Sequence, residues 1–97
     1  MRFVCISRPK DGTRPEDFLP HLDAEVRAAW QNHSSGIYRD AYIRQDLPGV
    51  VLMLDADTLD AARQITDALP LSKAGLISFQ IIPIGPFTNW EMLFTNP

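Results

Sequence analysis

Cysteine, cationic side chains and long apolar runs are all scarce in this 97-residue chain, and each shortage excludes a class of protein. The single cysteine, Cys5, forbids an internal disulfide and favours a reducing, cytoplasmic setting. Nine Lys and Arg against 12 Asp and Glu disfavour nucleic acid or an anionic membrane as partner, because both require clustered cations. No run approaches the roughly 20 apolar residues of a membrane span, and the N-terminal apolar run is too short for a signal peptide.

The hydrophobic content, 45% of residues, is sufficient for one folded domain. We expect residues 1–86 to form that domain and residues 87–97 to form a tail. The tail carries Phe87, Trp90, Leu93 and Phe94. Such an apolar segment predicts docking on a neighbouring subunit. A short chain also gains stability by burying one more face, so we expect a homodimer or higher homo-oligomer.

Four segments have the pattern of β-strands. RFVCIS at 2–7 is apolar on both faces and predicts a central strand. IYRDAYIRQ at 37–45 and VVLMLD at 50–55 predict a hairpin around the turn at 46–49. LISFQIIPI at 76–84 predicts the last strand, and Pro83 indicates that it lies at the sheet edge.

Two amphipathic segments separate these strands. The first predicts a helix that begins with a capping box at Thr13–Glu16, bends at Pro20 and ends at Ser34. The second, capped by Asp57 or Thr58, predicts a helix to about Leu69, followed by a loop at 69–75. The order βαββαβ is ferredoxin-like, an α+β fold with a four-stranded antiparallel sheet and both helices on one face. The opposite face is apolar, which predicts face-to-face dimerisation as a dimeric α/β barrel.

Polar residues border the apolar side of the first helix. The predicted inward side consists of Phe18, Leu22, Val26 and Ala29. At about 100° per residue, Glu25 lies only about 20° beyond Phe18, with Asn32 and His21 next around the helix. Burial raises the pKa of a carboxyl group, and a nearby imidazole can hold or relay its proton. We therefore regard Glu25 and His21 as candidate catalytic residues.

Two other interpretations of this pair stay open. His21 and Glu25, one turn apart, are also typical of an exposed pair that adds a few tenths of a kcal/mol to helix stability. A metal site is the third possibility, although only two ligands are evident and His33 lies three turns away. We expect no metal.

Several aromatic, amide and cationic residues are candidates for substrate binding. Arg39 and Arg44 are five residues apart and point to opposite faces of their strand, so only one can serve a given pocket within a subunit. Either is a candidate anchor for a substrate anion, and Tyr42, Asn32 and Trp30 are further candidates. The alternative for the strand residues is cross-strand packing with solvated charges, and for Trp30 it is simple packing.

The run GIYRDAYIRQDLPGVVLMLDA at 36–56 resembles the second and third strands of the muconolactone isomerase family, with a similar Gly-x-aromatic-Arg start. Leu69-Pro70-Leu71 and a final strand ending in Pro83 are also similar, and the ungapped first helix places Glu25 on a Glu of that family. The resemblance implies a dimeric α/β barrel with Arg39 in the pocket. The chain departs from the family at Asp40, where the isomerase tends to have His, after Leu71, and in the tail.

These observations predict a cofactor-independent isomerase or cyclase that transfers a proton on a small carboxylated or carbonyl-bearing metabolite. Such chemistry needs one base that later acts as an acid, and no cofactor. Two alternatives from other classes stay open. One is a cofactor-free monooxygenase on the same scaffold, and the other is a non-catalytic small-ligand-binding or assembly protein.

Overall fold

The computed structural model describes residues 1–95 and contains one four-stranded sheet. The strands are β1 (Arg2–Pro9), β2 (Tyr38–Ile43), β3 (Val50–Asp55) and β4 (Ile77–Ile84). Their order is β2-β3-β1-β4, and every neighbouring pair is antiparallel. The predicted central position of β1 and edge position of β4 are both confirmed.

Four α-helical segments and two 3-10 turns complete the described chain. The α-helices are α1 (Pro15–Phe18), α2 (Leu22–Ser34), α3 (Leu59–Asp67) and α4 (Pro70–Lys73), and the 3-10 turns are Leu19–His21 and Thr88–Leu93. The Oγ1 of Thr58 caps α3 by accepting a hydrogen bond from the Ala61 amide at 3.0 Å, as predicted. No helix among residues 1–95 has the length and apolar content needed to cross a bilayer.

The start of the first helical region differs from the prediction. Arg14 is the N-cap, and its amide donates to the Asp17 carboxylate at 2.8 Å, so the expected Thr13–Glu16 capping box is wrong. Pro20 lies in the 3-10 turn that separates α1 from α2, which confirms the predicted interruption. The expected loop at 69–75 also contains the short helix α4.

The helices cover one face of the sheet, and the core lies between them and that face. Phe3, Cys5 and Leu54 are fully buried there, together with Ala62 of α3. This arrangement confirms the ferredoxin-like α+β fold. The opposite face, which we call the open face, has an apolar centre that the helices do not cover. Its residues include Val4, Ile6, Val51, Met53, Ile82 and Ile84, with Arg2, Asp55 and Gln80 on the same face.

The orientation of α2 corrects part of the predicted inward side. Leu22 and Val26 are 42% and 65% exposed, whereas Glu25, Ala28 and Asn32 are half-buried. The helix is thus rotated so that small and polar side chains face the core. Its larger aliphatic side chains lie on a flank that no element among residues 1–95 covers.

The tail extends from the body of the molecule. The radius of gyration is 16.1 Å and the longest dimension is 60 Å, whereas a compact chain of this length has a radius of gyration of about 12.5 Å. Every described residue from Ile82 to Thr95 is exposed. The last two residues of the predicted tail, 96 and 97, lie outside the described part.

Candidate functional site

Glu25 lies on the inward side of α2 and reaches α4, which is 46 residues further along the chain. Its Oε1 accepts a hydrogen bond from the Leu71 amide at 2.9 Å, in the first turn of α4. Pro70 precedes Leu71 and has no amide hydrogen. The Glu25 carboxylate therefore accepts from one of the few free amide donors at the start of α4. Burial raises the pKa of Glu25, and the hydrogen bond from Leu71 offsets part of the rise.

Tyr38 places a buried hydroxyl group near this carboxylate. Its side chain is 3% exposed, and Oη has no hydrogen-bond partner within the described part of the chain. Burial raises the pKa of Tyr38, the nearby Asn32 amide lowers it, and the Glu25 charge raises it again. Asn32 is therefore close to the hydroxyl but outside good hydrogen-bonding geometry. We call Glu25, Asn32 and Tyr38 the polar cluster.

A shallow groove of about 480 Å³ opens between α2 and α3 beside the polar cluster. Its lining is mostly small or polar: Ala28, Gln31, Asn32, Ala61, Gln64, Ile65, Ala68 and Leu69. Asn32 belongs both to this lining and to the surroundings of Tyr38. Asn32 is thus the member of the polar cluster that lines the groove, whereas Glu25 and Tyr38 lie outside its lining.

A second buried hydroxyl without a partner belongs to Ser72, which follows Leu71 in α4. A buried polar atom without a partner is unfavourable by about 1–3 kcal/mol, so such atoms are rare in folded proteins. The described residues contain two of them, in Tyr38 and Ser72. Both hydroxyl oxygens are inaccessible to solvent in the single chain.

His21 and Glu25 do not meet, although they are four residues apart. His21 is the N-cap of α2 and follows Pro20 in the 3-10 turn, so the two residues do not share a regular helix. Among residues 1–95 neither a hydrogen bond nor an ion pair within 4.0 Å joins them. Glu25 instead binds the Leu71 amide.

The two candidate arginines lie elsewhere in the fold. Arg39 is exposed, and its Nε lies 3.7 Å from a carboxylate oxygen of Asp55, a residue that is also paired with Arg2. The Arg44 side chain is only 18% exposed and pairs with Asp46 at 2.7 Å. Neither guanidinium group contacts the polar cluster.

Arg44 has an evident structural role at the other end of the sheet. Its Nη1 donates to the Ser7 carbonyl oxygen at 3.1 Å, and its backbone amide donates to the Gly49 carbonyl oxygen at 2.9 Å. These contacts tie the β2–β3 loop to the end of β1. Gly49 is required there, because a Cβ at that position would overlap the Ser7 carbonyl oxygen.

The candidate aromatic residues are exposed. Tyr42 is 56% exposed and lies on the open face opposite Val51. Trp30 is 66% exposed on α2, where its ring lies 5.5 Å from that of His33. Of the candidate site residues, the structure brings Glu25 and Asn32 together and leaves His21, Arg39, Arg44, Tyr42 and Trp30 outside the polar cluster.

Tyr38 is the member of the polar cluster that the sequence pattern misses. Strict alternation along β2 places Tyr38 and Tyr42 on the same face. An irregularity between Tyr38 and Asp40 shifts the register, so Tyr38 pairs with buried Leu54 and Tyr42 lies on the other face. The only hint in the sequence is that Tyr38 starts its strand two residues after Gly36, and this does not predict a bulge.

The fold is similar to that of a solved enzyme. One match is to 5-chloro-2-hydroxyhydroquinone dehydrochlorinase from Burkholderia phenoliruptrix AC1100, whose structure is a complex with 2,5-dihydroxybenzoquinone. The TM-score is 0.72 at 15% sequence identity, over 88% of this chain and 94% of that chain. Neither a protein-family model nor a curated protein matches this sequence. At this identity the likeness supports the fold alone, and the relation to muconolactone isomerase stays a prediction.

Proposed function

We propose that this protein is a cofactor-independent isomerase or cyclase that transfers a proton on a small carbonyl-bearing or carboxylated metabolite. The observation that carries the proposal is the polar cluster: a half-buried carboxylate of raised pKa beside a buried hydroxyl group that has no partner among residues 1–95. A general base works best when its pKa is close to the working pH, and burial moves Glu25 in that direction.

Glu25 is the base in this mechanism. The Leu71 amide holds Oε1, which leaves Oε2 to accept a proton from a carbon next to the substrate carbonyl. The C–H electron pair then moves into the carbonyl, giving an enolate. The protonated Glu25 returns its proton to another carbon of the same molecule, which completes an isomerisation without net change in the protein.

Tyr38 is the group that stabilises the enolate. Its hydroxyl can donate to the substrate oxygen as negative charge develops there, and no acceptor within the described chain has to be displaced first. Asn32, which lies both at the groove and near Tyr38, holds the substrate or the phenol in position. The Tyr38 pKa is raised, so the phenol stays protonated and able to donate at neutral pH.

The geometry favours a neutral carbonyl or lactone at the cluster over an anionic group. Neither Arg39 nor Arg44 contacts the cluster, and Glu25 itself would repel a carboxylate. A substrate carboxylate would therefore point away from Glu25. Arg39 and Tyr42 lie away from the cluster. If they bind substrate, they do so at the open face, across an interface with a second copy.

The ligand in the similar structure, 2,5-dihydroxybenzoquinone, is a small cyclic oxygenated molecule. Unsaturated lactones and hydroxylated quinones are therefore suitable first compounds to test. We further propose a cytoplasmic setting, in which the single buried thiol, that of Cys5, remains reduced.

The test is hydrogen–deuterium exchange at carbon in such compounds, followed by NMR in D₂O without added cofactor. Wild-type protein should exchange a carbon-bound proton next to a carbonyl. Glu25→Gln should lower the rate by roughly 10²–10⁴-fold, the usual contribution of a general base. Asp23→Asn is the matched control, since Asp23 lies on the exposed side of α2 in a pair with Arg27. Undiminished exchange in Glu25→Gln would eliminate Glu25 as the base.

A second candidate function is non-catalytic ligand binding or assembly. The hydrogen bond from Leu71 favours it, because this contact already explains why a carboxylate occupies position 25. A binder would retain its ligand affinity in Glu25→Gln and would exchange no proton in any variant. The cofactor-free monooxygenase requires the same base to deprotonate a phenol, and oxygen consumption with a hydroquinone would reveal it.

A further inference from the structure

An apolar surface of α2 has no cover among residues 1–95. We call it the α2 flank: Leu22, Val26 and Trp30 of α2, with Leu19 of the preceding 3-10 turn, which are 42%, 65%, 66% and 66% exposed. Ala28, on the groove side of the helix, lies about 160° around the axis from Val26. The flank is therefore on the side of α2 that faces away from α3, and no element of the described chain packs against it.

The tail presents a second apolar surface. Its large side chains are Phe87, Trp90, Met92, Leu93 and Phe94, with exposures from 60% to 83%. The rings of Phe87 and Trp90 pack edge to face, with their centroids 4.7 Å apart. Glu91 is the only charged residue from position 85 to 97. A segment of this composition is unfavourable in water and requires an apolar partner surface.

We propose that the tail, residues Phe87–Phe94 of one copy, packs against the α2 flank of a second copy, and that the exchange is reciprocal. The tail leaves the sheet from β4, at one edge, whereas α2 packs on β2, at the other edge. About three strand spacings, roughly 14 Å, separate these edges. The tail and the α2 flank are both largely exposed in the single chain, so the tail does not cover its own α2 flank.

The amount of apolar surface is appropriate for a stable dimer. Phe87, Trp90 and Phe94 are 60%, 62% and 83% exposed, and together they offer roughly 400 Å² when a full aromatic side chain presents 150–250 Å². Two tails on two flanks would therefore bury on the order of 1,600 Å², the size of a standard specific interface. A single tail folded onto its own chain would bury only half as much.

The open face supports the same pairing. Val4, Ile6, Val51 and Met53 form an apolar centre that another sheet can cover. When two such faces pack about a twofold axis parallel to the strands, β4 of one copy lies beside β2 of the other. The tail that follows β4 then emerges at the partner's β2 edge, and it reaches the partner's α2 by passing around that edge. The open face and the α2 flank are covered by one and the same partner.

Cysteine cross-linking tests the proposal directly, because Cys5 is fully buried and contributes no reactive background. A chain carrying Leu93→Cys is mixed with a chain carrying Val26→Cys and treated with a flexible bis-maleimide. The expected product is a cross-linked heterodimer. Asp60→Cys, on exposed α3, replaces Val26→Cys in the control and should give little product. A product no greater than this control would overturn the proposal.

A single chain carrying both Leu93→Cys and Val26→Cys distinguishes exchange from folding back. A band at the mass of one chain, independent of protein concentration, would mean that the tail covers its own flank, which contradicts exchange between copies. Sedimentation provides the second measurement. Wild-type protein should be dimeric, and Trp90→Ser should weaken dimerisation about 30-fold or more, as for an interface anchor, while Asn89→Ser should not. A monomeric wild type, or equal dimerisation of Trp90→Ser and Asn89→Ser, would refute the exchange of tails. This inference does not rest on the proposed function.

Discussion

Replacement of Tyr38 by Phe should make the protein more stable and less active. The change removes a buried hydroxyl that has no hydrogen-bond partner among residues 1–95 and keeps the ring that packs in the core. An unsatisfied buried polar group costs about 1–3 kcal/mol. The nearby Asn32 amide compensates for part of this, so we expect a gain of about 1 kcal/mol in the free energy of unfolding. For a domain of this size that gain raises Tm by about 4–8 °C.

The same variant should lose roughly 10²–10³-fold in the carbon-exchange reaction, the usual effect of removing one oxyanion donor. Urea denaturation and NMR exchange measure the two effects on the same sample. Tyr42→Phe is the stability control: Tyr42 is 56% exposed, and the change should alter stability by less than about 0.5 kcal/mol. A loss of stability in Tyr38→Phe would refute the reasoning, because it would mean that the hydroxyl already has a partner in the folded chain.

Three further predictions concern Glu25 and Asp46, two carboxylates whose pKa is shifted. Glu25→Ala should lower the free energy of unfolding by about 1 kcal/mol, because the Leu71 amide of α4 loses its acceptor. Glu25→Gln keeps an acceptor and should cost less. Equal losses for the two variants in urea denaturation would contradict this prediction. Burial raises the pKa of Glu25 above its ordinary 4.5, so the folded state binds a proton at Glu25 more tightly than the unfolded state does. Wild type should therefore gain stability relative to Glu25→Gln as pH falls from neutral towards 4.5. Asp46 is the opposite case: its bond with Arg44 lowers its pKa to about 2, so the stability difference between wild type and Asp46→Asn should be full above pH 3.8 and disappear as pH falls towards 2. A pH-independent difference would refute it.

The polar cluster was only partly predictable from the sequence. Helical periodicity placed Glu25 and Asn32 at the border of the core, and both are half-buried there. It did not reveal the third member, since a bulge after Tyr38 reverses the alternation along β2. It also suggested a pairing of His21 with Glu25, which the 3-10 turn around Pro20 prevents.

The order and type of the main elements were determined by the sequence itself. Apolar periodicity, the Thr58 cap and the helix interruption at Pro20 act over a few residues, so their effects are visible without the rest of the chain. The same holds for the central position of β1, which follows from its two apolar faces.

Only the tertiary structure decided which surfaces these elements use. The inward side of α2 depends on α4, whose Leu71 amide reaches Glu25 across 46 positions in sequence. The orientation of Tyr38 depends on its pairing with β3, and the exposure of the α2 flank depends on where α3 lies. Local backbone preferences are set by neighbouring residues, whereas burial and hydrogen bonding depend on long-range contacts that exist only once the chain has folded.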